Sequence, residues 1–234
     1  ALYSPYSGIF DSSAVLQSLQ NDFESNNGIL VTNCCFLGAR LDGEEFVVSS
    51  SCGEVRCAQL VNSGGMLAQD IARKIYPLPP ASIPPLYLAK GQYFKLRGSR
   101  GLLSHLVYPI PEHGGLGFHA TLDLQGAVRF GPDVTFLSPR SRTASCDPHV
   151  FVDGPRELSY EVEEEARDRF LQAASAYLPC LRQREEDLLP DYAGIRPKLR
   201  GPAAAESFCD FSVQGPKEHG VRGLVCLYGV ESPG

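Results

Sequence analysis

Apolar residues recur at three- and four-residue spacing at Leu16, Leu19 and Phe23, which predicts a helix over Ser13–Ser25. Asp11 or Ser12 can cap its start, and Asn26-Asn27-Gly28 closes its end. The pattern then shortens to that of strands. Gly28–Asn33, Cys35–Leu41 and Glu45–Ser49 read as a meander, with an Asp42-Gly43 turn between the last two, and Val55–Asn62 reads as a further strand. Ser63-Gly64-Gly65 ends that strand, and Leu67, Ala68, Ile71, Ala72 and Ile75 mark a helical stripe that Pro77 stops.

Five prolines in residues 77–85 force extended backbone and make this stretch the expected crossing between domains. Beyond it, Tyr87–Leu96, His105–Ile110, Leu116–Leu124 and Ala127–Phe130 read as strands, with Gln125-Gly126 as a hairpin tip. A helix is expected from a cap at Ser159, with Val162, Ala166, Phe170, Ala174, Tyr177 and Leu181 on one face and Pro179 ending or kinking it. Strands return at Tyr192–Leu199, Phe208–Val213 and Gly223–Tyr228. Strands and helices grouped in this way predict an α+β fold.

Composition narrows the functional classes. The 234 residues carry 21 Lys and Arg against 27 Asp and Glu, a net charge of -6, and the basic residues are scattered singly, which excludes a phosphate-reading nucleic-acid surface. The longest apolar runs, such as Leu224–Val230, fall far short of the ~18 residues of a membrane span. Together with the lack of a signal-peptide pattern, this gives the expectation of a soluble intracellular protein. The eight cysteines form no paired CxxC, so no metal site is expected, and they read as reduced, buried small hydrophobes. The chain begins at Ala1 without Met and stops at Gly234 just after an apolar strand pattern, so a piece of something longer is expected.

Four features carry candidate chemistry. On the strand Leu116–Leu124, alternation puts Leu116, Phe118, Ala120, Leu122 and Leu124 on one face and Gly117, His119, Thr121 and Asp123 on the other, so His119 points away from the apolar layer. A histidine placed so suits a general base, and a structural or exposed role explains it as well. Arg196 sits between Gly194 and Pro197, a setting that positions a guanidinium fork for a carboxylate; a surface arginine beside a turn fits the same residues. Lys90-Gly91-Gln92-Tyr93 reads either as a polar pair around a glycine or as a turn with a solvated lysine. Gly64-Gly65, between strand and helix, leaves backbone amides that a phosphate could use, or is simply a tight turn. No G-x-G-x-x-G, G-x-S-x-G, P-loop or H-E-x-x-H occurs, so acyl transfer, nucleotide-driven phosphoryl transfer and zinc proteolysis lack their usual supports.

Eight ordered segments together carry a resemblance. They are Ser4-Pro5-Tyr6-Ser7-Gly8-Ile9-Phe10-Asp11, Leu60-Val61-Asn62-Ser63-Gly64-Gly65, Lys90-Gly91-Gln92-Tyr93-Phe94, Tyr108-Pro109-Ile110-Pro111, Gly117-Phe118-His119-Ala120-Thr121-Leu122-Asp123, Arg129-Phe130-Gly131-Pro132-Asp133, Tyr192-Ala193-Gly194-Ile195-Arg196-Pro197-Lys198 and Gly229-Val230-Glu231-Ser232-Pro233-Gly234. In this order they resemble FAD-dependent oxidoreductases of the D-amino-acid oxidase superfamily, in the L-2-hydroxyglutarate dehydrogenase branch. The resemblance covers nearly the whole chain.

The resemblance implies an α/β remnant of an FAD-binding domain joined to a mixed-sheet substrate domain. Residues 1–80 would complete the FAD domain, 81–200 would form the substrate domain and 201–234 would return to the FAD domain. The opening G-x-G-x-x-G unit of the family is missing, so the chain is expected to be inactive alone. Carried over by position, His119 would take the hydroxyl proton of a small 2-hydroxy acid while hydride passes to the flavin, and Arg196 would hold a substrate carboxylate. Lys90 and Tyr93 would line the substrate pocket. Asn62, Gly64, Gly65, Gly229, Glu231, Ser232, Pro233 and Gly234 would approach FAD, and a quinone or similar acceptor would take the electrons onward. One departure is the serine at Asp11-Ser12-Ser13, where many family members have histidine, which bears on substrate preference. Two alternatives are an amino-acid or amine oxidase of the same superfamily, and a non-catalytic substrate-domain fragment without FAD.

Overall fold

The computed structural model describes residues 2–109, 118–137, 158–204 and 209–231. Helix α1 is Ser12–Ser25; the Asp11 carboxylate caps it by accepting from the Ala14 amide at 3.0 Å. Its end is closed at Asn26, and Asn27 takes φ 63°. Strands β1 (Phe36–Asp42), β2 (Glu45–Ser50) and β3 (Gly53–Cys57) form an antiparallel meander, one strand further along the chain than expected, with Gly43 at φ 66° in the first turn. Strand β4 (Leu60–Asn62) leads through a 3-10 turn, Gly65–Leu67, into α2 (Ala68–Ala72), followed by β5 (Ile75–Tyr76). After residues 77–85 come β6 (Tyr87–Leu96), β7 (His119–Leu122), β8 (Val128–Gly131) and β9 (Thr135–Phe136). Helix α3 (Arg167–Ser175) and strand β10 (Leu188–Lys198) precede β11 (Ser212–Gln214), α4 (Pro216–His219) and β12 (Leu224–Tyr228). The fold is α+β.

The chain divides into two compact units. The first gathers the N-terminal segment to Thr32 with Gly91–Val134 and Tyr160–Gly194. Its sheet has the order β10-β6-β8-β7. Ala120, Phe130 and Phe94 lie side by side across β7, β8 and β6 and are fully or almost fully buried. Phe170 of α3 covers this row, with its ring 4.7 Å from Phe94 and 4.5 Å from Phe118. Burying a side chain such as Phe170 contributes roughly 1.5–3 kcal/mol.

A buried polar joint ties the same unit together. Asp133, just after β8, accepts from the Gln92 amide at 2.7 Å and from its side-chain nitrogen at 3.1 Å. Its second oxygen also takes the Arg169 guanidinium of α3. The Gln92 side-chain oxygen accepts from the Glu163 amide at 2.7 Å. One fully buried glutamine therefore links β6, the chain after β8 and the segment that leads into α3.

The second unit comprises Asn33–Lys90 and Ile195–Gly234 with the described residues between 135 and 159. It holds a sheet of order β3-β2-β1-β5 and another of order β11-β12-β4, in which β12 and β4 run parallel. Ala39 and Phe46 from the first sheet, Ala68 and Ala72 from α2, and Leu224 and Tyr228 from β12 form one apolar cluster. The opening residues of β6 belong to this unit, where Ala89 and Lys90 pair with Phe136 and Thr135 of β9.

Several expectations are corrected. Gly28–Asn33 is irregular rather than a strand. Val55–Asn62 is two strands in two sheets, because the chain breaks at Ala58-Gln59 to let the Leu60 amide donate to the Gly223 carbonyl at 2.8 Å. The expected helix from Ser159 starts only with a 3-10 turn at Glu164–Ala166, because Glu163 is held extended by its bond to Gln92. The helix already ends at Ser175, and Pro179 begins a separate 3-10 segment. Described residues of His105–Ile110 form no strand beyond a single bridge from Val107 to Ala120. The cysteines are not generally buried: Cys35, Cys52, Cys180 and Cys209 are exposed, Cys34 and Cys57 are intermediate, and Cys226 is buried.

Replacing Asp133 by Ala would leave two buried Gln92 donors without an acceptor, at roughly 1–3 kcal/mol each. Half-exposed Arg169 returns to water at little cost. Asp133→Ala should lower unfolding stability by about 2–6 kcal/mol, read as a shifted urea midpoint; an unchanged midpoint would mean that this joint does not hold the unit together.

Candidate functional site

In the first unit, the core row on the sheet fixes what lies on its other face. His119 pairs in register with Gly131, one residue along from the buried pair Ala120 and Phe130. His119 therefore stands on the side opposite the Phe170 core, as the alternation predicts. Its ring is half-buried and meets Tyr108 edge-on, with centroids 4.2 Å apart. Beyond Gly131 is Tyr93 of β6, stacked on Tyr192 of β10 at 4.5 Å. A Cβ on Gly131 would lie 2.5 Å from the Gln92 carbonyl and 2.9 Å from the Tyr93 ring, and its φ of 135° is open only to glycine. The missing side chain is what lets Tyr93 lie beside the histidine strand.

Leu124, assigned by alternation to the apolar face, is instead exposed, because the strand ends at Leu122 and a turn begins. Asp123 caps that turn by accepting from the Gln125 and Ala127 amides at 2.8 and 2.9 Å. Its hydrogen bond from Ala127 is the largest of the influences that hold its carboxyl below the ordinary aspartate range. Asp123 is thus a turn residue. Further along the same face, Asp191 accepts from Arg129 at 2.6 Å and stands 3.8 Å from Lys95. A cavity of about 370 Å³ near this end is lined by Lys95, Arg97, Arg100, Arg129 and Asp123, and by none of the predicted site residues. Its cations are held by Asp191, Asp187 and Gln125.

In the second unit, β4 and β12 are adjacent and parallel, with Asn62 level with Cys226. The segments Asn62–Gly65 and Gly229–Glu231 thus both leave the carboxyl ends of neighbouring parallel strands, the usual place for a ligand in such sheets. Asn62 is buried and its amide is committed: it donates to the Ala68 carbonyl at 2.7 Å and accepts from the Gly64 amide at 3.2 Å. It shapes the turn rather than offering a side chain. Gly65 has φ 56° and open space where a Cβ would stand, whereas a Cβ on Gly64 would strike Ile71. Gly229, at φ 67°, packs against Leu199.

Arg196 and Lys198 of β10 converge on Glu231. Lys198 bonds one carboxylate oxygen at 2.5 Å, and the Arg196 guanidinium is 3.9 Å from the other, which is buried and makes no hydrogen bond among the described residues. Both amide atoms of fully buried Gln69 are likewise without a hydrogen-bond partner there. Backbone amides at an open glycine turn and polar atoms still requiring partners fit a large polar cofactor, and Gly65, Gly229 and Glu231 are the residues that would hold it. Ser232, Pro233 and Gly234 lie outside the described residues.

Lys90 and Tyr93 are not in a turn. Both belong to the centre of β6, and Lys90 is buried. Sequence reasoning missed Gly131, Tyr108, Tyr192 and Lys198 as neighbours of the predicted residues, since these contacts are assembled across segments distant in sequence. No group of three or more metal-ligating side chains occurs among the described residues, and no described helix is long and apolar enough to cross a membrane.

This arrangement is an α+β fold, and solved structures share it. One is the L-alpha-glycerophosphate oxidase of Mycoplasma pneumoniae, at a TM-score of 0.68 and 17% identity over 93% of this chain and 50% of that one. Another is the glycine oxidase of Bacillus cereus, at 0.59 and 17% over 91% and 48%. The chain belongs to the FAD dependent oxidoreductase (DAO) family, whose model matches residues 1–234. It is 36% identical to the mitochondrial L-2-hydroxyglutarate dehydrogenase of Arabidopsis thaliana over all of this chain and 53% of that protein. The Homo sapiens protein of the same name is 25% identical over 88% of this chain and 48% of its own. The chain spans about half the length of these relatives.

Gly131→Ala should push Tyr93 from its stack and strain the backbone by about 1–3 kcal/mol. A lower melting temperature, with altered near-ultraviolet tyrosine dichroism, is the expected result. An unaltered spectrum would mean that Gly131 does not set the Tyr93 position.

Proposed function

We propose that the chain is part of an enzyme that oxidises a small 2-hydroxy acid of the L-2-hydroxyglutarate type at C2. The observation that carries this reading is the polar-facing His119, in a chain that matches two L-2-hydroxyglutarate dehydrogenases. FAD, when bound, supplies the acceptor for the C2 hydride.

A ring nitrogen of His119 takes the hydroxyl proton, and the edge-on Tyr108 ring limits how the imidazole turns. Arg196 holds a substrate carboxylate through its planar fork. Lys90 and Tyr93 meet the second carboxylate or orient the first. Gly65, Gly229 and Glu231, with Asn62 and Gly64 shaping the turn, hold the cofactor; Ser232, Pro233 and Gly234 continue that segment. In the same reading, residues 1–80 and 201–234 serve the cofactor and 81–200 the substrate, and electrons pass on to a quinone or another acceptor.

The test is flavin reduction followed by absorbance, on the chain with added FAD and on a polypeptide extended to the relatives' length. L-2-hydroxyglutarate should bleach the flavin band. His119→Ala should slow bleaching by about 10²–10⁴-fold with the flavin still bound; an unchanged rate would remove the base assignment. Arg196→Lys should mainly raise the substrate KM, by about tenfold or more for a lost charged hydrogen bond. Hydrogen peroxide release with an amino acid, and no bleaching by the hydroxy acid, would favour an amino-acid oxidase instead.

A further inference from the structure

Cys34 stands just before β1, and Cys52 lies in the turn between β2 and β3. The antiparallel ladder pairs Phe36 with Ser50, and the Ser51 amide donates to the Cys35 carbonyl at 2.9 Å. Ser51 and Cys52 form the two-residue turn from β2 into β3, so Cys52 lies at the end of that hairpin, beside the entry of β1, and the Ser50 side chain contacts both cysteines.

The surroundings keep the two thiols together. The Cys34 thiol donates to the Ser50 hydroxyl at 3.3 Å, and that same hydroxyl accepts from the Cys52 amide at 3.2 Å and donates to the Gly53 carbonyl at 2.8 Å. One serine thus pins Cys34 to the turn that carries Cys52. Hydrogen bonding with the Cys52 thiol, and then with Ser50, holds the Cys34 thiol below the ordinary thiol range, while the same contact raises Cys52. A lowered thiol beside a raised one divides the roles of attacking and resolving cysteine. Cys52 is exposed and Cys34 partly so, so a small oxidant reaches them. Cys35 is also exposed, and alternation along the chain turns it to the other face.

We propose that Cys34 and Cys52 form a reversible dithiol–disulfide site that reacts with low-molecular-weight disulfides such as oxidised glutathione. The Cys34 thiolate attacks one sulfur of glutathione disulfide, the S–S bond breaks, and one glutathione thiol leaves carrying the proton lost from Cys34. The Cys52 thiolate then attacks the Cys34 sulfur of the mixed disulfide. The second glutathione leaves with the proton from Cys52. Two protein thiols are oxidised and one glutathione disulfide is reduced to two thiols. The product ties the entry of β1 to the β2–β3 turn.

The experiment is to incubate the purified chain with oxidised glutathione and to map its thiols by intact mass and peptide mass spectrometry. The expected product has lost two hydrogens, contains a Cys34–Cys52 peptide link and returns to the dithiol on treatment with dithiothreitol. Cys35→Ser should leave the link intact. Cys52→Ser should stop at a glutathione adduct on Cys34, and Cys34→Ser should abolish the link. The unsubstituted chain decides the matter even if a variant fails to fold. A link through Cys35, a link between two chains, or only glutathione adducts on separate cysteines would overturn the proposal.

Discussion

The buried carboxylate of Asp133 is the constraint on which the first unit depends. A carboxylate taken out of water is costly unless its oxygens are satisfied, and here Gln92 supplies two donors and Arg169 a third. Gln92 in turn uses its remaining oxygen on Glu163. The arrangement holds three chain segments in one register, and each loses its partner if any other moves. Such networks are strong only when complete.

The position of His119 depends on that register. Asp133 follows Gly131 and Pro132, so anchoring the carboxylate draws the Gly131 backbone against β6, close to the Gln92 carbonyl. Only then does Tyr93 lie over a position with no side chain, and only then is His119 opposite that position on β7. The apolar row of Ala120, Phe130 and Phe94 beneath Phe170 fixes the other face. Packing on one side and a polar clasp at the strand end together set where the imidazole stands. Loss of either would leave a histidine on a strand with no defined neighbours.

Local signals in the sequence were legible where local physics decides. Strand β6 and helix α1 follow their patterns almost residue for residue, and Gly43 and Gly126 take the positive φ that their turns require. The face of β7 was readable because alternation needs no partner. Ser159 could cap a helix by type, but the long-range bond from Gln92 to Glu163 keeps that stretch extended. Val55–Asn62 looked like one strand because composition does not reveal that Leu60 pairs with a chain segment near Gly223. The motifs around Lys90–Tyr93 and Arg129–Asp133 were visible as separate strings; their connection, Gln92 to Asp133, joins residues far apart in sequence. The cysteines were misjudged because burial was inferred from residue type, whereas Cys34 and Cys52 sit at sheet ends that solvent reaches.

Asn62 shows why residue type overstates what a side chain contributes to a site. An asparagine next to two glycines at the end of a parallel strand invites assignment as a ligand, yet its amide is spent on Ala68 and Gly64. That commitment shapes the turn, and the turn presents Gly65 with a left-handed backbone and open space beside it. A glycine there leaves the backbone uncovered, where a side chain would hide it. Glu231 is the converse case. Its carboxylate pairs with Lys198 through one oxygen, and the other, 3.9 Å from the Arg196 guanidinium, is buried without a hydrogen bond among the described residues. In this unit the open turn at Gly65 and the carboxylate of Glu231 both follow the carboxyl ends of the parallel strands β4 and β12.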